Sequence, residues 1–212
     1  MAVVCSALPG AMVGGMSKRP PRPTTALSLC VAIIPESEYL RRRRVLRRMM
    51  SAVPDLLWDD VKSLFDPEVN GALPDVVIEG TTAGDWQVLL DLVQSQGWQY
   101  AYSLGGEPME LPSAADMVAA ASVGETPELR VRPIPEILMI FRVYQAESID
   151  FDVDLRELQG QERLDVLVDV FRVIGRRLGK SVLMATEGSP GHPDLGFEAG
   201  ADRVMLMADP GV

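Results

Sequence analysis

The residues best suited to chemistry are the carboxylates of the run Asp150-Phe-Asp152-Val-Asp154. In an extended strand alternate side chains share a face. The three aspartates therefore point one way, while Ile149, Phe151, Val153 and Leu155 point the other way into a core. Like charges two residues apart repel, and either a basic protein partner or a hard cation such as Mg²⁺ or Ca²⁺ would relieve them. Glu147 and Glu157 lie close enough in sequence to join the row. An exposed strand bearing Asp also resists edge-to-edge pairing with no ligand at all. Three roles are open: a partner-binding surface of Asp150, Asp152, Asp154 and Glu157, a metal site at Asp150, Asp152 and Asp154, or a solvated strand.

Other constellations resemble enzymes only superficially. Gly175-Arg-Arg-Leu-Gly179-Lys180-Ser181 looks like a phosphate-binding loop, but it has three residues between its glycines where that loop needs four. It also follows a helix instead of preceding one, so no helix N-terminus faces the phosphates. Arg176, Arg177 and Lys180 sit better at a helix C-terminus, offsetting its dipole, with Gly179 as a left-handed cap. Ser189, His192 and Asp194 contain the residue types of a hydrolase triad, but they crowd a proline-containing loop and lack the Gly-x-Ser-x-Gly elbow. His192 is the sole histidine, and both cysteines, Cys5 and Cys30, fall near the N-terminus. The remainder thus has no thiol for zinc, disulfide or nucleophile. Trp58, Trp86 and Trp98 fit core packing better than a binding groove.

The elements that must position these residues alternate along the chain. Trp58, Val61, Leu64 and Phe65 have helical spacing with Asp55 near the start, and a turn-rich stretch follows from Asp66 to Gly71. Asp75 to Glu79 reads as a strand. Thr82, with Asp85 three residues on, caps a helix whose apolar face is Trp86, Leu89, Leu90 and Val93 and whose stop is Gly97. A strand over residues 98–103 ends at Gly105-Gly106, and Ser113 with Asp116 starts a smaller helix. Leu129 to Arg132, Ile137 to Tyr144 and Ile149 to Leu155 read as strands, with Pro133 and Pro135 interrupting the chain between the first and the second. The longest helix covers residues 160–178, with a wide stripe of Leu164, Leu167, Val168, Phe171, Ile174 and Leu178. Ser181 to Ala185 and Arg203 to Ala208 complete the strands.

Two stretches share a strand–helix–strand order, around the helices at Trp86 and Leu164. That pattern suggests two βαβ-type units, whether from duplication or from the commonness of the motif. The expected fold is α+β: a mixed or mainly antiparallel sheet packed by two principal helices, with an extended basic N-terminal leader.

Charge divides the chain. Residues 1–48 hold nine Lys and Arg against two Asp and Glu, a net +7, whereas residues 49–212 hold 11 against 28, a net −17. Pro20, Pro21 and Pro23 among Lys18, Arg19 and Arg22 favour an extended leader. Glu38 to Met50 could form a basic amphipathic helix with Leu40, Val45, Leu46 and Met49 on one side. That stretch could tether nucleic acid or membrane, or lie against the acidic remainder. Alternatively, translation starts at Met49 or Met50 and the leader is a gene-model extension. Ala26 to Ile34 has the length of a signal-peptide core, but no small-x-small cleavage site follows and Arg41 to Arg44 oppose export.

No apolar run reaches the roughly 20 residues of a membrane span. The acidic part lacks a basic stripe with interleaved aromatics, which disfavours nucleic acid there. These observations lead to a single acidic domain over residues 49–212 in a small cytoplasmic protein. Its expected role is non-enzymatic: an inhibitor or immunity-like protein binding a basic protein partner without a cofactor. The alternative is a Mg²⁺- or Ca²⁺-dependent enzyme using the carboxylates of the 150–154 strand.

Overall fold

The computed structural model describes residues 54–189 and 191–207. The basic leader, Cys5, Cys30, the Met49-Met50 pair and Ala208 lie outside the described residues. Among the described residues there are five α-helices and nine strands; the helices are α1 (Trp58–Val61), α2 (Pro67–Asn70), α3 (Ala83–Gln96), α4 (Ala114–Ser122) and α5 (Gln161–Leu178). The nine strands are β1 (Asp75–Glu79), β2 (Gln99–Leu104), β3 (Glu107–Met109), β4 (Pro127–Ile134), β5 (Ile137–Arg142), β6 (Ser148–Val153), β7 (Val182–Ala185), β8 (Leu195–Glu198) and β9 (Arg203–Leu206). They form one sheet in the order β3-β2-β4-β5-β6-β1-β7-β8-β9. Every neighbouring pair is antiparallel. The fold is therefore α+β, as the sequence predicts, with the antiparallel form of the sheet realised throughout.

Both strand–helix–strand successions are present, β1-α3-β2 and β6-α5-β7, but neither places its own two strands side by side. β6 and β7 flank β1 on opposite sides, and β6, β5 and β4 separate β1 from β2.

Local chemistry explains the helix limits. The Thr82 hydroxyl accepts the Asp85 amide at 3.2 Å, and the Ser113 hydroxyl accepts that of Asp116 at 3.3 Å, each satisfying an otherwise orphaned donor. Gly97 and Gly179 end their helices in the left-handed conformation at φ 63° and 66°, where a Cβ would be strained. The turn-rich stretch after Phe65 closes into α2 because Asp66 caps it, accepting from the Glu68 amide at 2.9 Å, with Pro67 at its first position.

Alternation in the strands sends Val76, Ile78, Leu129, Val131, Met139, Phe141, Ile149, Phe151, Val182 and Met184 to one face. There they form one core with Trp86, Leu89 and Leu90 of α3 and Leu164, Leu167, Phe171 and Ile174 of α5. Each of these large side chains contributes on the order of 2 kcal/mol by leaving water. Phe151 joins the layers, stacked on Phe141 at 4.5 Å and edge-on to Phe171 at 6.2 Å. Because the helices give their buried residues to this single core, the opposite face of the sheet is left open among the described residues. Its side chains are half buried or exposed, apart from Ala185, which is buried.

Two strands are absent from the sequence expectation. Gly105-Gly106 turns the chain into β3, and the polar loop after β7 contains β8. The strand expected over 129–132 extends through Pro133 to Ile134, its register with β5 shifting between Val131 and Ile134 to accommodate the proline.

Candidate functional site

On β6 the alternation holds as expected: Ile149, Phe151 and Val153 are buried, while Asp150 and Asp152 stand on the open face. The carboxylate row does not act as one group, because each member has a different neighbour. Asp152 forms an ion pair with Arg142 on the adjacent β5, and Arg142 also approaches Glu128 of β4 at 3.9 Å. Burial works against the Arg142 charge, but the hydrogen bond to Asp152 and the negative charges of Asp152 and Glu128 outweigh it and raise its pKa. Asp150 accepts a hydrogen bond from the Ser148 hydroxyl.

Asp154 lies beyond the end of β6 and caps the 3₁₀ turn Leu155–Glu157, accepting the Arg156 amide at 2.9 Å. Its carboxylate is clasped by the Arg156 guanidinium at 2.8 and 2.7 Å. The side-chain bond from Arg156, ahead of the opposing effect of burial, holds its pKa below the ordinary value. Glu157 accepts the Leu138 amide at 2.7 Å, fastening the turn to the start of β5. Glu147 takes part through its main chain, its carbonyl accepting from Thr81 at 2.9 Å. Of the expected partner-binding residues, Asp150 and Asp152 share the open face. Asp154 and Glu157 hold local structure. Among the described residues no group of three His, Cys, Asp or Glu is arranged to hold a metal ion.

The sheet adds residues the sequence did not associate with the row. β1 pairs with β6 so that Asp75 stands opposite Asp152, Val77 opposite Asp150 and Glu79 opposite Ser148. A recess of about 250 Å³ opens here, lined by Asp75, Val77, Arg142, Tyr144, Asp150 and Asp152. Among the described residues, Asp75 and Glu79 have no side-chain hydrogen bond or ion pair. Their membership depends on an antiparallel pairing across some seventy residues of sequence, for which strand alternation gives no signal.

On the far side of β6 the open face turns basic. β4 presents Arg130 and Arg132 on it and β5 presents Arg142. Arg130 pairs with Glu128 at 2.7 Å, and Arg132 donates to the Pro135 carbonyl at 2.8 Å.

The remaining candidates resolve into structural roles. Gly175 is buried on α5 with Phe197 of β8 packed against it, so that an added Cβ would fall 2.1 Å from the ring. Arg176 grips Asp202 at 2.6 and 2.9 Å, and the Lys180 ammonium donates to the Gly80 carbonyl at 2.8 Å. Thus the glycine-and-lysine segment braces a helix C-terminus. In the loop after β7, Asp194 accepts both the amide and the hydroxyl of Thr186 at 2.8 Å. No hydrogen bond among the described residues joins the His192 ring to Ser189 or Asp194. Trp86 is buried and donates to the carbonyls of Gln145 and Ser148 at 3.3 and 3.1 Å; Trp58 packs on Phe65, and Trp98 lies against the core.

Among the described residues, no helix is long and apolar enough to cross a membrane. Compared with protein-family models, curated proteins and solved structures, the chain matches none.

Proposed function

We propose that this is a small, non-enzymatic, cytoplasmic binding protein whose acidic surface engages a basic protein partner, in the manner of an inhibitor or immunity protein. The observation that supports this reading is the placement of Asp75, Glu79 and Asp150 together on an open sheet face, with no cation among the described residues bonded to any of them. The charge balance of residues 49–212 points the same way. If all 11 cations there were paired, 17 of the 28 carboxylates would still lack one. Phosphate-bearing partners are repelled by such a surface, whereas cationic proteins are drawn to it and associate faster. A cysteine-free acidic part suits a reducing compartment.

The test is capture of partners by the full chain over a salt range from about 0.05 to about 0.5 M, a range over which exposed charges become screened. The expected partner is basic and is released as salt rises. The double substitution Asp75→Asn with Asp150→Asn should slow its association by roughly tenfold. A partner set indifferent to salt, or one without basic proteins, overturns the proposal.

A further inference from the structure

The open face is banded in charge. β4 and β5 supply Arg130, Arg132 and Arg142, with Glu128 the one carboxylate among them, and β9 at the far edge adds Arg203 opposite Glu198. β6 and β1 supply Asp150, Asp152, Asp75 and Glu79. The border between the bands runs between β5 and β6, near the middle of the sheet, with four strands on the cationic side and five on the other.

We infer that a second copy of this chain docks on this face, sheet against sheet, about a two-fold axis that runs parallel to the strands along the β5–β6 border. A rotation about that axis turns the cationic half of one copy onto the anionic half of the other. It leaves position along the strands unchanged, so residues of one cross-strand row meet residues of the same row. In one row Arg142 stands opposite Asp150, so Arg142 of each copy faces Asp150 of the other. The next row runs Arg130, Ile140, Asp152, Asp75, which brings Arg130 over Asp75 of the second copy. Among the described residues, Asp75 and Asp150 are the carboxylates of these two rows that have no cation of their own. The patch is self-complementary, as a two-fold interface requires.

The dimensions are compatible. Nine strands spaced about 4.8 Å apart and averaging about five residues, roughly 17 Å, present about 700 Å² of sheet, near the lower end of one partner's share in a standard interface. Val77, Ile140 and Leu183, half buried on this face, add apolar contact between aligned sheets. The net charge of −10 opposes approach, but physiological salt confines that repulsion to about 8 Å while pairs in contact are screened much less. The anionic band is also the surface proposed for a basic partner, so partner and second copy compete for it. Self-association is measured without any partner and stands or falls separately from that proposal.

Light scattering on the full chain at micromolar concentration and physiological salt is expected to give twice the monomer mass. Arg130→Asp and Asp75→Arg, made separately, each place like charges across both symmetric contacts, and each should weaken the dimer at least tenfold. Mixing the two variants restores opposite charges at both contacts, and the mixture should return to the dimer mass. Circular dichroism of each variant confirms that it remains folded. A monomeric wild-type chain overturns the inference. So does a dimer unaffected by either reversal, and so do two monomeric variants that fail to reassociate when mixed.

Discussion

Asp75 on β1 and Asp152 on β6 stand directly opposite each other in an antiparallel pair, and among the described residues only Asp152 of the two has a cation. Like charges facing across a ladder destabilise a sheet. The arrangement therefore persists at a cost to stability, as is common where a surface serves binding. Asp75→Asn is expected to stabilise the protein by roughly 0.5 kcal/mol. Asp152→Asn should destabilise it by about 1 kcal/mol, because it reduces a charge-assisted hydrogen bond to a neutral one and leaves half-buried Arg142 with only Glu128, at 3.9 Å, as a counter-ion. Urea melts of the two variants should move in opposite directions, and a loss of stability in Asp75→Asn would contradict the assignment.

Gly175 offers a test of packing in which the sign itself is informative. In an ordinary helix interior, Gly to Ala is favourable by nearly 1 kcal/mol. Here the new methyl would meet the buried Phe197 ring, so Gly175→Ala is expected to cost about 1 to 3 kcal/mol. Chemical denaturation reads the difference directly, and a stabilised variant would show that α5 and β8 do not touch there.

Two carboxylates around Arg172 should respond oppositely to acid. Burial raises the Asp55 pKa, but bonds from the Val204 amide at 3.0 Å and from Arg172 at 2.8 Å outweigh it and leave the value below 3.8. Its stabilising contribution is complete above the unfolded value near 3.8 and is lost as pH falls through the depressed folded value. For Asp169 burial prevails over Arg172, and the pKa is raised. The folded chain then binds that proton more tightly than the unfolded chain, and this group favours folding as pH falls from the raised value towards 3.8. Stability curves should accordingly lose part of their acid decline in Asp55→Asn. In Asp169→Asn they should lose a gain on mild acidification.

Millimolar Mg²⁺, Mn²⁺ or Ca²⁺ is expected to leave the melting temperature unchanged, because the aspartates of β6 and its following turn are tied to Ser148, Arg142 and Arg156 and do not converge. A rise that Asp150→Asn abolishes would instead demonstrate a cation site, since a ligand that binds only the folded state raises its stability.

Much of the fold was legible because local chemistry dictated it. Thr82 with Asp85 and Ser113 with Asp116 announce helix starts, Gly97 and Gly179 announce ends, and the aliphatic stripe of α5 announces its buried face. β8 was hidden because Leu195-Gly-Phe-Glu198 has a glycine where the pattern wants a side chain. A Cβ on Gly196 would fall 2.3 Å from the Val182 carbonyl oxygen, so the gap reflects close backbone approach. β3 is short, exposed and contains Pro108, leaving no apolar signal. At the candidate site, alternation correctly turned Asp150 and Asp152 outward. It could not reveal that Arg142 would neutralise one of them or that Asp75 would arrive beside them, since both facts depend on which distant strands become neighbours.

That neighbour order also governs how the chain can be assembled. Among the described residues β1 is the first strand of the sheet, yet both of its ladders await much later sequence: β6 begins at residue 148 and β7 at residue 182. As synthesis proceeds from the N-terminus, Val76 and Ile78 must wait, with both strand edges unpaired, while most of the chain is made. Closure of so many distant contacts is entropically slow. The acidic residues bordering β1, Asp75 and Glu79, then act as gatekeepers during that interval, keeping a short β-branched segment from pairing with another nascent chain before its own partners exist.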